Sequence, residues 1–72
     1  DAVPYAVRID QAADEVTYYT GYAAASSATS SGVWRIKKTV LSASSDDVTV
    51  TWADGDTLFN NVWDDRLSLT YS

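Results

Sequence analysis

VWRIKKTVL at 33–41 and DVTVTWA at 47–53, joined by the polar run SASSD at 42–46, decide the fold. Val48, Val50 and Trp52 alternate with Thr49 and Thr51, the period of two expected of a strand with one covered face. Valine, threonine and tryptophan also suit a pleated, half-buried surface. In the first stretch Trp34, Ile36 and Val40 share a face, and Arg35, Lys37 and Thr39 lie opposite. Two such runs about a short polar turn predict an antiparallel hairpin. Lys38 stands where an apolar residue is due. Either a bulge shifts the register there, or the position is a rim along which the lysine stem lies while its ammonium reaches water.

Working outward, Tyr5, Val7 and Ile9 alternate with Ala6, Arg8 and Asp10, which predicts a first strand with its apolar set buried. The polar stretch 11–14 reads as a turn. Over 15–22, Val16, Tyr18 and Tyr22 are predicted on one face, and Thr17 and Tyr19 on the other, with Gly21 marking a bulge or the strand end. Residues 23–32, AAASSATSSG, are small, polar and aperiodic, so they predict a loop whose side chains are free to lie against another subunit. Asp54-Gly55 is a turn signal. In TLFNNVWD (57–64), Phe59, Val62 and Trp63 fall at i, i+3 and i+4, which suits one helical turn, although two asparagines suit a folded loop equally well. Leu67, Leu69 and Tyr71 predict a C-terminal strand. The expectation is one all-β domain over 1–72, a small five-stranded antiparallel barrel or sandwich with one helical turn near 57–64.

Composition narrows the chemistry. Three Trp, five Tyr and one Phe accompany no His, no Cys and no Met. Aromatic side chains bring large apolar area, so this chain has many packing groups and few reactive ones. Trp34 and Trp52 are predicted as interior filler, and Trp63 reads better as core than as a ligand platform. A formal net charge of −5 argues against a nucleic-acid partner, which needs clustered Lys and Arg. Arg35, Lys37 and Lys38 read as a solvated face. The same charge argues against an anionic membrane surface. Lack of cysteine excludes disulfide stapling and leaves the redox compartment open. A domain of this size is only marginally self-sufficient, because burial and ordering nearly cancel. That favours assembly modestly. The start at Asp1 rather than methionine predicts processing, or excision from something longer.

Asp54, Asp56, Asn60, Asn61, Asp64 and Asp65 lie within a dozen residues, and hard cations take oxygen ligands. No Glu closes the set and the EF-hand spacing is missing, so turn formation is the preferred reading. No metal or other cofactor is expected. Asp46-Asp47 and Asp64-Asp65 are adjacent pairs, which on a strand point to opposite faces and cannot flank a glycosidic bond. Without histidine no Ser-His-Asp arrangement exists. No catalytic residue is assigned. For interaction, the candidates are Tyr19 as an outward-facing ring, Tyr22 near it, Trp63, and Arg66, which can stack on Trp63 or pair with Asp64 or Asp65.

The ordered string VTYYTGYA (16–23), SSGV (30–33) leading into WRIK (34–37), TWADG (51–55) and FNNVWDDR (59–66) resembles a pattern of short β-rich virion proteins of tailed bacteriophages. The likeness spans about residues 7–71, and the spacing of its WRIK, WADGD and VWDDR pieces is the most specific part. That family more often carries Gly or Pro in the 24–28 loop, where this chain has Ala and Ser. The resemblance implies no catalytic residues. It implies a virion structural protein, a capsid-decoration or tail- or fibre-associated subunit, assembling with copies of itself and with other virion structural proteins. A small carbohydrate- or receptor-binding module of a phage fibre is the alternative, and an extracellular enzyme fragment ranks last.

Overall fold

A computed structural model describes residues 5–42 and 47–72. Four strands form one antiparallel meander in the order β1-β2-β3-β4: β1 Tyr5–Gln11, β2 Thr17–Ala24, β3 Arg35–Leu41 and β4 Val48–Trp52. The expected 33–53 hairpin is present as β3 and β4, paired from Lys37↔Trp52 to Leu41↔Val48. Its connecting turn lies, from residue 43 on, outside the described residues. The sheet stays open, with β1 and β4 at its edges, so it is neither a barrel nor five-stranded.

The missing fifth strand has a local cause. Trp63–Asp65 form a 3-10 turn, and bonds from Arg66 N to Trp63 O and Ser68 N to Asp65 O continue the winding. Only the last residues straighten. Tyr71 bridges Ala53, and Ser72 exchanges backbone bonds with Trp52 at 3.1 and 3.2 Å. The helical turn expected near 57–64 thus appears only at the end of that segment, because Val62 is extended (φ −97°, ψ 121°).

Asp14 shapes the β1–β2 turn. Its Oδ1 accepts the backbone N–H groups of Val16 and Thr17 at 3.0 and 2.9 Å, and its Oδ2 accepts the Thr17 hydroxyl at 2.7 Å. These bonds, that hydroxyl first, hold the carboxyl below its ordinary 3.8. Asp54 and Gly55 both have positive φ (59° and 70°), and Asp56 N donates to Ala53 O. This is the type I′ geometry that Asp-Gly favours.

The core reverses the expected faces of three strands. Tyr19, Ala23, Trp34, Ile36, Ala53 and Trp63 are its buried residues, with Ala6, Ala12, Leu69 and Tyr71 packed against them. Trp34 and Ile36 point inward as expected. Cross-strand partners share a face, so Gly21, paired with Ile36, is inward, and Tyr19 and Ala23 with it. The expected buried sets Tyr5/Val7/Ile9, Val16/Tyr18/Tyr22 and Val48/Val50/Trp52 therefore lie on the outer face. Trp52 is half-buried there and is not interior filler.

The reason is steric. Trp34 and Trp63 pack 6.0 Å apart, tilted by 39°, across the inner face. Two indoles need a shallow floor, and Gly21 supplies it: a Cβ there would sit 2.5 Å from Trp63 Cε3. Gly21 is neither bulge nor strand end, since its pairing runs unbroken to Arg8 and Ile36. Pairing is equally unbroken through Lys38, which rules out the bulge considered there. Its ammonium instead lies 5.8 Å from the centre of the Tyr71 ring.

Candidate interaction surface

The segment 61–72 covers the inner side and gathers three of the four residues expected to make contacts. Trp63 is 5% exposed and Tyr19 is 8% exposed, so neither is an open platform. Tyr19 meets the Tyr71 ring at 5.7 Å. Tyr71 donates its hydroxyl to the Arg66 carbonyl at 2.8 Å. Burial first, then the neighbouring Tyr19 and Asp54, push its phenol up to about 12, against an opposing pull from Arg66. Arg66 lies over Trp63 at 4.6 Å, as expected, but its ion pair is with Asp10 at 3.1 Å rather than with Asp64 or Asp65. Tyr22 stands apart on the outer face, half-buried, with the Lys37 ammonium 5.8 Å from its ring.

The 25–33 loop is tied to its own chain. Trp34 Nε1 donates to the Ala28 carbonyl at 2.9 Å, and Asp64 N donates to Thr29 O at 3.1 Å. These bonds fix the entry to β3 and the position of Trp34, whose backbone exchanges bonds with Asn61.

Of the acids of the C-terminal half, Asp54 and Asp56 shape the chain after β4. Asp56 Oδ1 accepts the Leu58 N–H at 3.0 Å, and Asn61 is buried beside Trp34. Among the described residues, no three acids converge where they could hold a metal ion. No helix among them is long and apolar enough to cross a membrane.

The outer face is the surface that alternation alone misassigns. Register places Tyr5, Val7 and Ile9 of β1 beside Ala24, Tyr22 and Thr20 of β2. Beyond these lie Arg35, Lys37, Thr39 and Leu41 of β3, then Trp52, Val50 and Val48 of β4. Ile9 is 69% exposed and Tyr5 is 61% exposed. Apolar residues line both margins of this face, and its charges are cationic, Arg35 and Lys37. Lys38 points to the other side, so the basic run does not form one cluster. At one end, Tyr5, Tyr22, Arg35 and Phe59 line a groove of about 220 Å³, with the Arg35 guanidinium 4.2 Å from the Phe59 ring centre. Arg35 Nε also donates to the Thr57 carbonyl at 2.8 Å.

The signal that finds this face lies in the small residues. Ala6, Gly21, Ala23 and Ala53 share the side of Trp34 and Ile36, where bulky rings from elsewhere need room. No protein-family model, curated protein or solved structure matches the chain.

Proposed function

We propose that the chain is a structural subunit of a bacteriophage particle, a capsid-decoration or tail- or fibre-associated module that works by protein–protein assembly. One observation carries the reading: the outer sheet face keeps exposed apolar margins, Tyr5, Val7 and Ile9 on β1 and Val48 and Val50 on β4. An exposed apolar row along a strand, unlike single scattered apolar residues, marks an interaction site. Its cationic centre, in a chain of net charge −5, suits an apolar partner surface with acidic groups. The resemblance to virion proteins supplies the particle as the setting.

A glycan- or receptor-binding module is the second reading, and the groove of Tyr5, Tyr22 and Phe59 is its support. Arg35 is the charged group of that lining among the described residues. Sugar hydroxyls also call for acids or amides beside the rings, and among the described residues the lining has none. Assembly is therefore preferred.

Imaging the intact particle at side-chain resolution tests the proposal. The expected result is density for this chain with Val7, Ile9, Val48 and Val50 against another subunit. Particles that lack the chain, or that carry it with this face in solvent, would refute it. Glycan binding lost on Phe59→Ala and unaffected by Val50→Lys would favour the second reading.

A further inference from the structure

We propose that two copies of this chain pair antiparallel through the open edge of β1, centred on Ile9, joining their two four-stranded sheets into one. This rests on the reading that the chain works by assembly, and it names a partner and a register for one edge.

The register of β1 on β2 shows which backbone groups are free. Ala12 donates its N–H to Thr17 O at 2.8 Å, in step with the pairing of the whole strand. In an antiparallel ladder, bonded and non-bonded pairs alternate. Ala6, Arg8 and Asp10 therefore bond to β2, and Tyr5, Val7, Ile9 and Gln11 turn their N–H and C=O groups to the open side. The seven residues of β1 include no proline or glycine. Such an edge is a template for another strand. The other edge is shorter and partly closed, since Ser72 occupies the backbone groups of Trp52.

Charge selects the partner and the register. Among the described residues, Arg8 is the one Lys or Arg for which no partner is found; the other four contact a carboxylate, carbonyl or ring. Free groups must meet free groups, so a β1–β1 pair has five registers that oppose three or more residues of each strand, and the one centred on Ala6 leaves Arg8 with no β1 residue opposite it. One sets Arg8 against the partner's Arg8, and another sets Asp10 against the partner's Asp10. Both are repulsive. Centring on Val7 places Arg8 opposite the partner's Ala6. Centring on Ile9 places Arg8 opposite the partner's Asp10, twice by symmetry, in a non-bonded pair where side chains approach closest.

Room for these side chains exists. A groove of about 420 Å³ runs along β1 and is lined by residues 6–10 together with Trp63 and Arg66. Asp10 then lies between its own Arg66 and the partner's Arg8, a charge-assisted arrangement. Pairing with a neighbour's β4 offers no such match, because Thr49 and Thr51 face the same side. The contact is isologous and closes as a two-fold dimer.

Lack of native cysteine makes the test clean. Ile9→Cys and Val7→Cys are each incubated in a glutathione redox buffer and scored for disulfide dimer. Residues paired across the axis are about 5.5 Å apart at Cα, within disulfide reach. Ile9→Cys is expected to cross-link and Val7→Cys is not. Adding Arg8→Asp, an exposed site, should cut the Ile9→Cys yield about tenfold or more and leave the near-ultraviolet spectrum of the folded chain unchanged. Sedimentation of the unmodified chain from about 1 μM to about 1 mM reads the dimer directly. A monomer throughout that range, faster cross-linking at position 7, or a yield indifferent to Arg8→Asp would overturn the pairing. Each of these would leave the chain's presence in particles, read by imaging, unaffected.

Discussion

Gly21→Ala probes the packing that sets which face of the sheet is inside. The added Cβ would lie 2.5 and 2.8 Å from Trp63 Cε3 and Cζ3 and 3.1 Å from Trp34 Cε3. Ordinary contact begins near 3.4 Å, so the indole must retreat by about 0.9 Å. Trp63 has little freedom to do so, held between Trp34 and the Arg66 guanidinium. Overpacking of a filled core costs about 1–3 kcal/mol. Against this, replacing glycine in a strand recovers roughly 0.5–1 kcal/mol of chain entropy. The collision involves rigid rings, so a net loss of about 1–2 kcal/mol is expected. For a domain of this size that lowers Tm by about 4–16 °C. Urea unfolding followed by tryptophan fluorescence measures it. The colliding atoms belong to the six-membered ring of the indole and have no counterpart in the smaller phenyl. In a Trp63→Phe background the cost of Gly21→Ala should therefore shrink, and a double-mutant cycle reads the coupling. A Gly21→Ala chain as stable as the original, or an unchanged cost beside Trp63→Phe, would refute the assignment of the inner face.

Substitutions on opposite faces should separate sharply: Ile36→Ala is expected to cost about 2–5 kcal/mol, and the isosteric Val50→Thr to stay within about 0.5 kcal/mol, both read by urea midpoints. Because the fold favours the neutral Tyr71 phenol, stability should be intact below pH 10 and fall as pH rises from 10 towards about 12. Tyr71→Phe should flatten that decline, as seen in alkaline unfolding curves. At the acid end, the lowered Asp14 carboxyl contributes stability present above its ordinary 3.8 and lost as pH falls below it. Asp14→Ala should remove that part of the acid dependence, and an unchanged acid unfolding curve would contradict the turn assignment. Gly55→Val, at φ 70° with Ser72 Oγ 2.6 Å from the new Cβ, should lower Tm and loosen the β4–C-terminus contact, read by hydrogen exchange at Trp52 and Ser72.

Of the interaction candidates, composition singles out aromatic residues and Arg66 but cannot place them. Tyr19 is polar-tipped and sits opposite Val16 and Tyr18 in the alternation, so it reads as outward. Register with Lys38 and contact with Tyr71 bring it inside. Asp10 as the partner of Arg66 was beyond reach, because 56 residues separate them. The exposed apolar margins were misread for the same reason as the core: Tyr5, Val7 and Ile9 look buried when β1 is read alone.

Local chemistry by itself determined four of the five expected strands, the β3–β4 hairpin, the Asp-Gly turn and the inward pointing of Trp34 and Ile36. Strand propensity and turn residues act over a few neighbours, and those signals are written in order along the chain. Which side of β1, β2 and β4 is covered was decided only by the tertiary structure. Alternation defines two faces without ranking them, and a shift of one residue exchanges them. The ranking came from Trp63, delivered by a distant segment onto a floor of Gly21 and alanines, because two indoles packed side by side need the room that small residues leave.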